Sequence, residues 1–300
     1  MHVHSLDNLD LSAPPGQRLV VLGDPISHSL SPFMHNAALN AMSVDSPELA
    51  GWRYEAVRVP ADRLAEALPR LHQAGVRGIN LTIPHKVRAL ELIGDADPLS
   101  RAMGAVNTLV RTETGYRGTN TDGYGIVQAI REHFDCGLEG ADVWIYGAGG
   151  AARGIVVACL EAGARRITVL NRSPERLGEL QVDLAGRVGI RFFSLAAAPD
   201  DFDPEAILVN ATSLGLKASD RSPVEPSVLR AGMRVYDTTY GCFNRLASAC
   251  REAGIPYADG LSMLVWQGVR SLEIWTGKSV PAQIMRVAAE NELKLRNQDG

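Results

Sequence analysis

A lysine and an aspartate in the first half of the chain carry side chains suited to proton transfer. Lys86 ends the segment 78–86, GINLTIPHK, where a proline is predicted to stop an apolar strand and a helix to begin. Asp122 follows the polar run 118–121, GTNT. An ammonium group and a carboxylate that meet in a cleft can exchange a proton with a ligand. Either residue alone is more often a solvated surface charge.

A loop rich in hydroxyl groups precedes this region. The segment 23–36, GDPISHSLSPFMHN, follows an apolar strand and leads into a predicted helix. Its serines, among them Ser29 and Ser31, offer hydroxyls and backbone amides to a polyhydroxylated or carboxylate ligand. Ser31 is also a candidate N-cap. The spacing of His28 and His35 argues against a metal site, and none is expected.

A glycine-rich turn lies between a predicted strand and a predicted helix in the middle of the chain. The segment 142–153, DVWIYGAGGAAR, contains Gly-x-Gly-x-x-Ala at this junction. Gly147 makes the tight turn, Gly149 lets the backbone approach a pyrophosphate, and Ala152 lets the helix pack on the strand. The amides and dipole of the helix start favour phosphate groups. The order of strand, loop and helix predicts a dinucleotide site rather than a turn that only packs a helix.

The end of the next predicted strand indicates which dinucleotide is bound. Binding of NAD usually needs an acidic residue roughly 20 positions past the loop. This chain has Asn171, Arg172 and Ser173 there, with Arg176 one helical turn later. Two guanidinium groups and a hydroxyl suit a 2′-phosphate, so the sequence predicts NADP, although Glu175 lies among them.

Two sets of alternating apolar runs and helix-period segments must position these residues. This alternation predicts an α/β fold with mostly parallel sheets, and a turn-rich stretch near 120–125 separates the two sets. Helices are predicted over 61–74, 85–93, 154–162, 263–276 and 281–295, the last two packing on the first domain. Strands are predicted over 18–23, 54–59, 78–83, 105–111, 142–146, 166–170, 191–193, 206–210, 233–237 and 255–258.

Composition sets further limits on function. The chain has 300 residues, a formal net charge of −4 and 46% hydrophobic residues, as in globular proteins. This balance gives no electrostatic case for nucleic acid or a membrane surface, and no transmembrane or secretion segment is predicted. Four scattered cysteines favour a cytoplasmic location. Residues 1–16 are expected to form a lead-in without regular structure.

Together the motifs resemble those of the shikimate dehydrogenase family. The resemblance runs from about Val20 to Thr276 and adds the segments 104–108 (GAVNT), 120–123 (NTDG) and 210–215 (NATSLG). It implies an N-terminal α/β substrate domain, residues 1–122 with 259–300, and a Rossmann-type NADP domain, residues 123–258. The implied activity is interconversion of 3-dehydroshikimate and shikimate in the chorismate pathway of aromatic amino-acid biosynthesis. A homodimer is one expected assembly.

The resemblance also implies roles for individual residues. The implied catalytic pair is Lys86 and Asp122. The positions implied to hold the substrate are Ser29, Ser31, Thr82, Lys86, Asn107, Asp122, Tyr240 and Gln267. Those implied to hold the cofactor are Gly147, Ala148, Gly149, Gly150, Ala151, Ala152, Asn171, Arg172, Ser173, Arg176, Thr212, Ser213 and Gly260.

The chain also departs from the family pattern, which leaves alternatives open. The segment 241–247, GCFNRLA, lacks the usual proline and Thr-Pro-Leu-Leu-like stretch, Ser262 replaces a glycine, and Thr119 stands where aspartate is common. One alternative is a quinate or quinate/shikimate dehydrogenase. A second is a non-catalytic NADP- or ligand-binding regulator, disfavoured because a pure binder needs no proton-transfer pair. A third is an unrelated Rossmann reductase, disfavoured by the hydroxyl-rich loop.

Overall fold

The computed structural model describes residues 2–8, 17–217 and 219–299. The chain forms two compact units, each with its own sheet. The terminal unit consists of the residues up to Thr121 and those from Val265 onward, whereas the central unit is Asp122–Leu264. The boundaries of these compact units along the chain are 121/122 and 264/265. The domain division expected from the sequence, 1–122 with 259–300 and 123–258, stays a prediction.

The sheet of the terminal unit has six strands in the described residues, in the spatial order β1-β3-β2-β4-β5-β6. They are β1 (Val3–Ser5), β2 (Arg18–Gly23), β3 (Arg53–Arg58), β4 (Gly78–Leu81), β5 (Thr108–Arg111) and β6 (Tyr116–Thr119). The first four run parallel, and β5 is antiparallel to both of its neighbours. The carboxyl ends of β4 and β6 and the start of β5 consequently lie at one edge of this sheet.

Within the described part of the central unit, the sheet also has six strands, in the order β12-β11-β10-β7-β8-β9, and these strands are all parallel. They are β7 (Asp142–Tyr146), β8 (Arg166–Asn171), β9 (Ile190–Ser194), β10 (Ile207–Asn210), β11 (Arg234–Asp237) and β12 (Tyr257–Ala258). From β7 the chain moves first to one side of the sheet and later to the other. The topological switch point therefore lies between β7 and β10.

Helices connect the strands in both units. They are α1 (Ser31–Asp45), α2 (Leu64–Gln73), α3 (His85–Ile93), α4 (Pro98–Met103), α5 (Asp122–Phe134), α6 (Gly150–Glu161), α7 (Pro174–Asp183), α8 (Arg245–Ala253), α9 (Leu261–Thr276) and α10 (Ala282–Asp299). The first turn of α9 belongs to the central unit and the rest of α9 to the terminal unit. The predicted two-domain α/β fold with mostly parallel sheets is confirmed.

Several local predictions are wrong. The expected unstructured lead-in contains β1, which pairs with β3, while residues 9–16 lie outside the described residues. The predicted turn-rich boundary contains the start of α5, which the sequence analysis did not predict. Helix α6 begins at Gly150 rather than 154, so the glycine turn is shorter than expected. Strand β5 begins at Thr108 rather than 105 and pairs with the unpredicted β6.

A buried tryptophan fixes α9 on the sheet of the terminal unit. The indole nitrogen of Trp275 donates to the carbonyl oxygen of Leu109, 2.9 Å away. A Cβ at Gly78 would lie 2.4 Å from the indole ring, so only glycine allows this packing. Trp275 is 2% exposed, and its truncation to alanine should cost about 3–5 kcal/mol of stability.

Candidate functional site: a dinucleotide cavity and a polar cluster

The turn between β7 and α6 lets backbone come close to a ligand. Gly147 has a φ of +127°, and a Cβ there would lie 2.9 Å from the carbonyl oxygen of Ala211. Both observations require glycine at this position. Gly149 and Gly150 have open space where a Cβ would stand. The unpaired amides that begin α6 thus adjoin open space, as a phosphate site requires.

A cavity of about 680 Å³ lies at this turn. Its lining includes residues 147–151 after β7, Asn171 at the end of β8, Arg172 and Arg176 after β8, and residues 211–214 after β10. It thus opens at the carboxyl ends of the strands that flank the switch point, where open α/β sheets bind ligands. Most predicted cofactor residues meet here, including Ala148, Ala151, Thr212 and Ser213. The residues that line the cavity do not include Ala152, Ser173 or Gly260.

Those three residues have structural roles. Ala152 lies in the first turn of α6 and is fully buried. The hydroxyl of Ser173 accepts from the Arg176 amide at 3.4 Å, which caps α7, and donates to Glu175 at 2.6 Å. That hydrogen bond lowers the pKa of the Glu175 carboxyl. A Cβ at Gly260 would lie 2.2 Å from the carbonyl oxygen of Thr238. Their cofactor roles stay predictions.

A buried carboxylate joins the loops after β10 and β11. Asp237 is 0% exposed and accepts from Asn210 Nδ2 at 2.8 Å, Thr239 Oγ1 at 2.9 Å and Asn244 Nδ2 at 2.9 Å. The Asn210 side-chain oxygen accepts from both the amide (3.0 Å) and the hydroxyl (2.7 Å) of Thr212. Asp237 therefore fixes a loop that lines the cavity.

The atypical segment 241–247 is tied to the same loop. The Cys242 thiol donates to the carbonyl oxygen of Gly215 at 3.2 Å. Asn244 accepts from the Ala247 amide at 3.0 Å and so caps α8. Tyr240, a predicted substrate residue, is half-buried. In the sequence it lies between Asp237 and Cys242. A thiol contact and an asparagine cap thus hold this segment.

In the terminal unit, the backbone around Lys86 is fixed on two sides. Its carbonyl oxygen accepts from the Val106 amide at 3.0 Å. The ring of the preceding His85 lies 2.8 Å from the Val59 carbonyl oxygen, and burial lowers the pKa of His85. Lys86 itself is half-buried in the first turn of α3. Strand β4 ends at Leu81 rather than at the predicted 83, so Thr82 lies in the turn before this helix.

Asn107 connects the residues predicted to hold the substrate. Its Oδ1 accepts from the Thr121 amide at 2.8 Å, and its Nδ2 donates to the Thr121 hydroxyl at 3.0 Å. The same side-chain nitrogen lies 3.4 Å from Gln267 Oε1, which α9 supplies. The residue after Thr121 is Asp122. The chain positions that follow β4 and β6 and precede β5, which include Lys86, Thr121 and Asn107, therefore lie at the same edge of the sheet.

A second layer of buried polar groups supports Asn107. Asn80 Nδ2 donates to the hydroxyls of Thr108 and Ser271, each at 3.1 Å. Asn80 Oδ1 accepts from the Tyr54 hydroxyl at 2.7 Å. The sequence analysis did not predict this cluster. Asn80 lay within a recognised motif, but its partners come from β3, β5 and α9, and no local pattern relates them.

The serine-rich loop differs locally from its prediction. Helix α1 begins at Ser31, and Leu30 rather than Ser31 is its N-cap residue. The hydroxyl of Ser29 accepts from the Ser31 amide at 3.3 Å. The Arg296 guanidinium, on α10, donates to the His28 carbonyl oxygen at 2.8 Å and so holds this loop.

Comparison with known proteins identifies the family. Residues 21–109 match the shikimate dehydrogenase substrate binding domain, and residues 260–290 match the shikimate 5′-dehydrogenase C-terminal domain. The shikimate dehydrogenase (NADP(+)) of Methanothrix thermoacetophila is 40% identical over 277 residues, which are 92% of this chain and 98% of that protein. The chain belongs to the shikimate dehydrogenase family. The resemblance inferred from its motifs is thereby confirmed.

Solved structures share the fold. Shikimate 5-dehydrogenase from Thermus thermophilus, in complex with NADP(H) and shikimate, matches with a TM-score of 0.79 and 35% identity over 91% of this chain and 98% of that one. The ligand-free 5-ketofructose reductase of Gluconobacter sp. strain CHM43 matches with a TM-score of 0.79 and 29% identity over 91% of this chain and 98% of that one. The same fold therefore occurs in proteins that are named for different substrates.

Two features are absent from the described residues. No group of three or more His, Cys, Asp or Glu side chains there could hold a metal ion. Within the same ranges, every helix is too short or too polar to cross a membrane.

Proposed function

We propose that this chain interconverts 3-dehydroshikimate and shikimate with NADP(H). The observation that carries the proposal is the cavity at the switch point, where the glycine turn and the side chains of Arg172 and Arg176 meet. The cradle fits a dinucleotide because glycine is required at 147, open space lies above 149 and 150, and the arginines suit a 2′-phosphate. The assignment of shikimate as the substrate is supported by relatives that carry the name shikimate dehydrogenase (NADP(+)).

In this proposal Lys86 and Asp122 supply proton transfer. When bound, NADPH supplies the hydride. Lys86 donates a proton to the carbonyl oxygen of 3-dehydroshikimate as negative charge grows there, and accepts it in the reverse direction. Asp122 orients Lys86 and accepts a hydrogen bond from the neighbouring substrate hydroxyl. Support comes from the shared sheet edge and from the hydrogen bonds that fix Lys86 and Thr121 through Val106 and Asn107.

The remaining predicted residues hold the substrate in this proposal. Ser29, Ser31, Thr82, Asn107 and Gln267 present hydroxyl and amide groups that match a polyhydroxylated acid. Tyr240 contributes a further hydroxyl. A cytoplasmic location and a homodimer complete the proposal. All four cysteines are free, which fits a reducing compartment.

Reduced-nicotinamide absorbance tests the activity. Shikimate and quinate are each offered with NADP and with NAD, and 5-ketofructose with NADPH serves as a further substrate. We expect the highest kcat/KM for shikimate with NADP. A preference for quinate or 5-ketofructose would overturn the substrate assignment, and the absence of any NADP-dependent reaction would favour a binding protein without catalysis.

A further inference from the structure

A third arginine lines the dinucleotide cavity. Arg221 lies in the segment after β10, whereas Arg172 and Arg176 follow β8 on the other side of β7. It belongs to none of the sequence motifs described above. In the sequence it is a single arginine in a polar loop, which is the pattern of an ordinary surface charge. The cavity thus receives guanidinium groups from two different connections.

The three guanidinium groups have one feature in common. Among the described residues, none of Arg172, Arg176 and Arg221 forms a side-chain hydrogen bond or ion pair. By contrast, two arginines outside the cavity are paired: Arg191 lies 2.7 Å from Asp201, and Arg230 lies 2.5 Å from Asp200. The arginines at the cavity therefore keep all their donors for a ligand.

The backbone on both sides of Arg221 is fixed. Asp220 accepts from the Gly215 amide at 3.1 Å and from the Lys217 amide at 3.0 Å through one oxygen. The Ser222 hydroxyl donates to the Val224 carbonyl oxygen at 2.6 Å. These local hydrogen bonds place the Arg221 backbone at the cavity wall while its side chain is exposed. A fixed backbone lowers the entropy lost when a side chain binds a ligand.

The charge of the cavity exceeds what a pyrophosphate at a glycine turn requires. Its described lining carries these three arginines against one acidic residue, Glu225. Backbone amides at the start of α6 are suited to the pyrophosphate. A 2′-phosphate adds a charge of about −1.5 to −2 near neutral pH and several acceptor oxygens, so it can accept hydrogen bonds from more than two guanidinium groups.

We infer that Arg221 is a third ligand of the NADP 2′-phosphate, and that it approaches from the β10 connection opposite Arg172 and Arg176. This makes Arg221 a determinant of the choice between NADP and NAD. The inference rests on the proposed function, because it takes the cavity as the NADP site. It does not depend on which hydroxy acid is oxidised.

Calorimetric titration with two nucleotides tests this role. The ligands are 2′,5′-ADP, which has the 2′-phosphate, and ADP, which has the diphosphate but no 2′-phosphate. For Arg221→Gln we expect the Kd for 2′,5′-ADP to rise about tenfold or more, while the Kd for ADP changes less than about twofold. Arg230→Gln is the matched control: the same charge is removed outside the cavity, and neither Kd should change.

Two other results of the titration would overturn the inference. Equal weakening of both ligands would place Arg221 at the diphosphate or in a purely structural role, and no weakening would remove it from the site. Thermal unfolding of Arg221→Gln separates a folding defect from lost binding, and Arg221→Lys, which keeps the charge, should recover part of the affinity. A wild-type protein that binds 2′,5′-ADP tightly but oxidises no shikimate would contradict the proposed function and leave the role of Arg221 intact.

Discussion

The hydroxyl oxygens of Thr108 and Ser271 lie 2.8 Å apart and join the antiparallel β5–β6 hairpin to α9. Both side chains are fully buried. The Ser271 hydroxyl also donates to the Gln267 carbonyl oxygen at 2.9 Å. The register of α9 on the sheet, and with it the position of Gln267, therefore depends on a pair of hydroxyls that need not touch the substrate.

Ser271→Ala tests that dependence. Loss of this hydroxyl removes one buried hydrogen-bond partner each from Asn80 and Thr108, so we expect a stability loss of about 1–3 kcal/mol. We also expect KM for shikimate to rise about threefold or more with a smaller change in kcat, because Gln267 is less well held. Steady-state kinetics and urea unfolding measure both. Thr276→Ala, on the same helix, is the control and should leave KM unchanged; an unaltered KM in Ser271→Ala would contradict the positioning role.

Lys86→Ala tests the proton-transfer role. A general acid–base group contributes typically 10²–10⁴-fold, so kcat should fall by roughly 10²-fold or more with little change in KM. The control is Arg88→Ala, which removes an exposed cation on the same helix that pairs with Glu91. Near-normal turnover of Lys86→Ala in steady-state assays would rule out the assigned role.

Gly147→Ala tests the glycine turn. The added Cβ meets the Ala211 carbonyl oxygen at 2.9 Å in a backbone conformation that only glycine adopts readily. We expect destabilisation and a large loss of NADPH affinity, measured by nicotinamide fluorescence. Gly154→Ala is the counterpart inside α6, where a Cβ has open space. It should stabilise the protein by about 0.5–1 kcal/mol and leave the affinity unchanged.

Asn244→Ala tests the atypical segment after Tyr240. This substitution removes the cap of α8 and one donor to the buried Asp237 carboxylate. The expected loss of stability is about 2–4 kcal/mol in denaturant unfolding. Asn244→Ser keeps a capping oxygen and should recover about 1 kcal/mol. Equal stability of the alanine and serine variants would show that the cap contributes nothing.

His35 makes stability depend on pH. Its ring is fully buried against Tyr54, and neither nitrogen has a hydrogen-bond partner among the described residues. Burial lowers the pKa of His35 from 6.5 to about 3. Between these values the unfolded chain binds the extra proton, so the free energy of unfolding falls as the pH drops below 6.5. The limiting slope is about 1.4 kcal/mol per pH unit, and at pH values well above the unfolded-state pKa the contribution disappears.

His35→Phe keeps an aromatic ring against Tyr54 and removes the titrating group. Urea unfolding from about pH 4 to about pH 8 should show a shallower decline at acid pH for this variant than for the unaltered chain. Identical slopes in the two proteins would show that another group controls acid stability.

Local sequence patterns were sufficient where one segment contains all the determinants. The bounds of α3, His85–Ile93, match the prediction, as do those of β2 and β7. In each case the spacing of apolar residues and a flanking proline or glycine determine the bounds of the element, and these signals lie within a few residues of it. The cofactor loop was predictable for the same reason, since strand, turn and helix follow one another directly.

Patterns failed where distant segments decide the structure. Strand β1 is a short polar segment that becomes a strand only because β3 provides an open edge. Helix α5 contains two glycines in its first turns, which weakens its helical pattern. The cluster around Asn80 and the position of Arg221 at the cavity depend on segments that are distant in the sequence. The periodicity of one segment contains no information about such contacts. Arg221 was missed on these grounds.

The way the chain is divided also sets the order in which the units can form during translation. The central unit is continuous, so all of its residues have been synthesised once Leu264 is added. The sheet of the other unit still lacks α10 and most of α9, including Trp275. A nascent polypeptide paused at that point would expose the apolar surface around Gly78, which is the kind of surface that chaperones bind. Ribosome-bound chains truncated before Trp275 should accordingly be more sensitive to protease in their N-terminal part than in their middle.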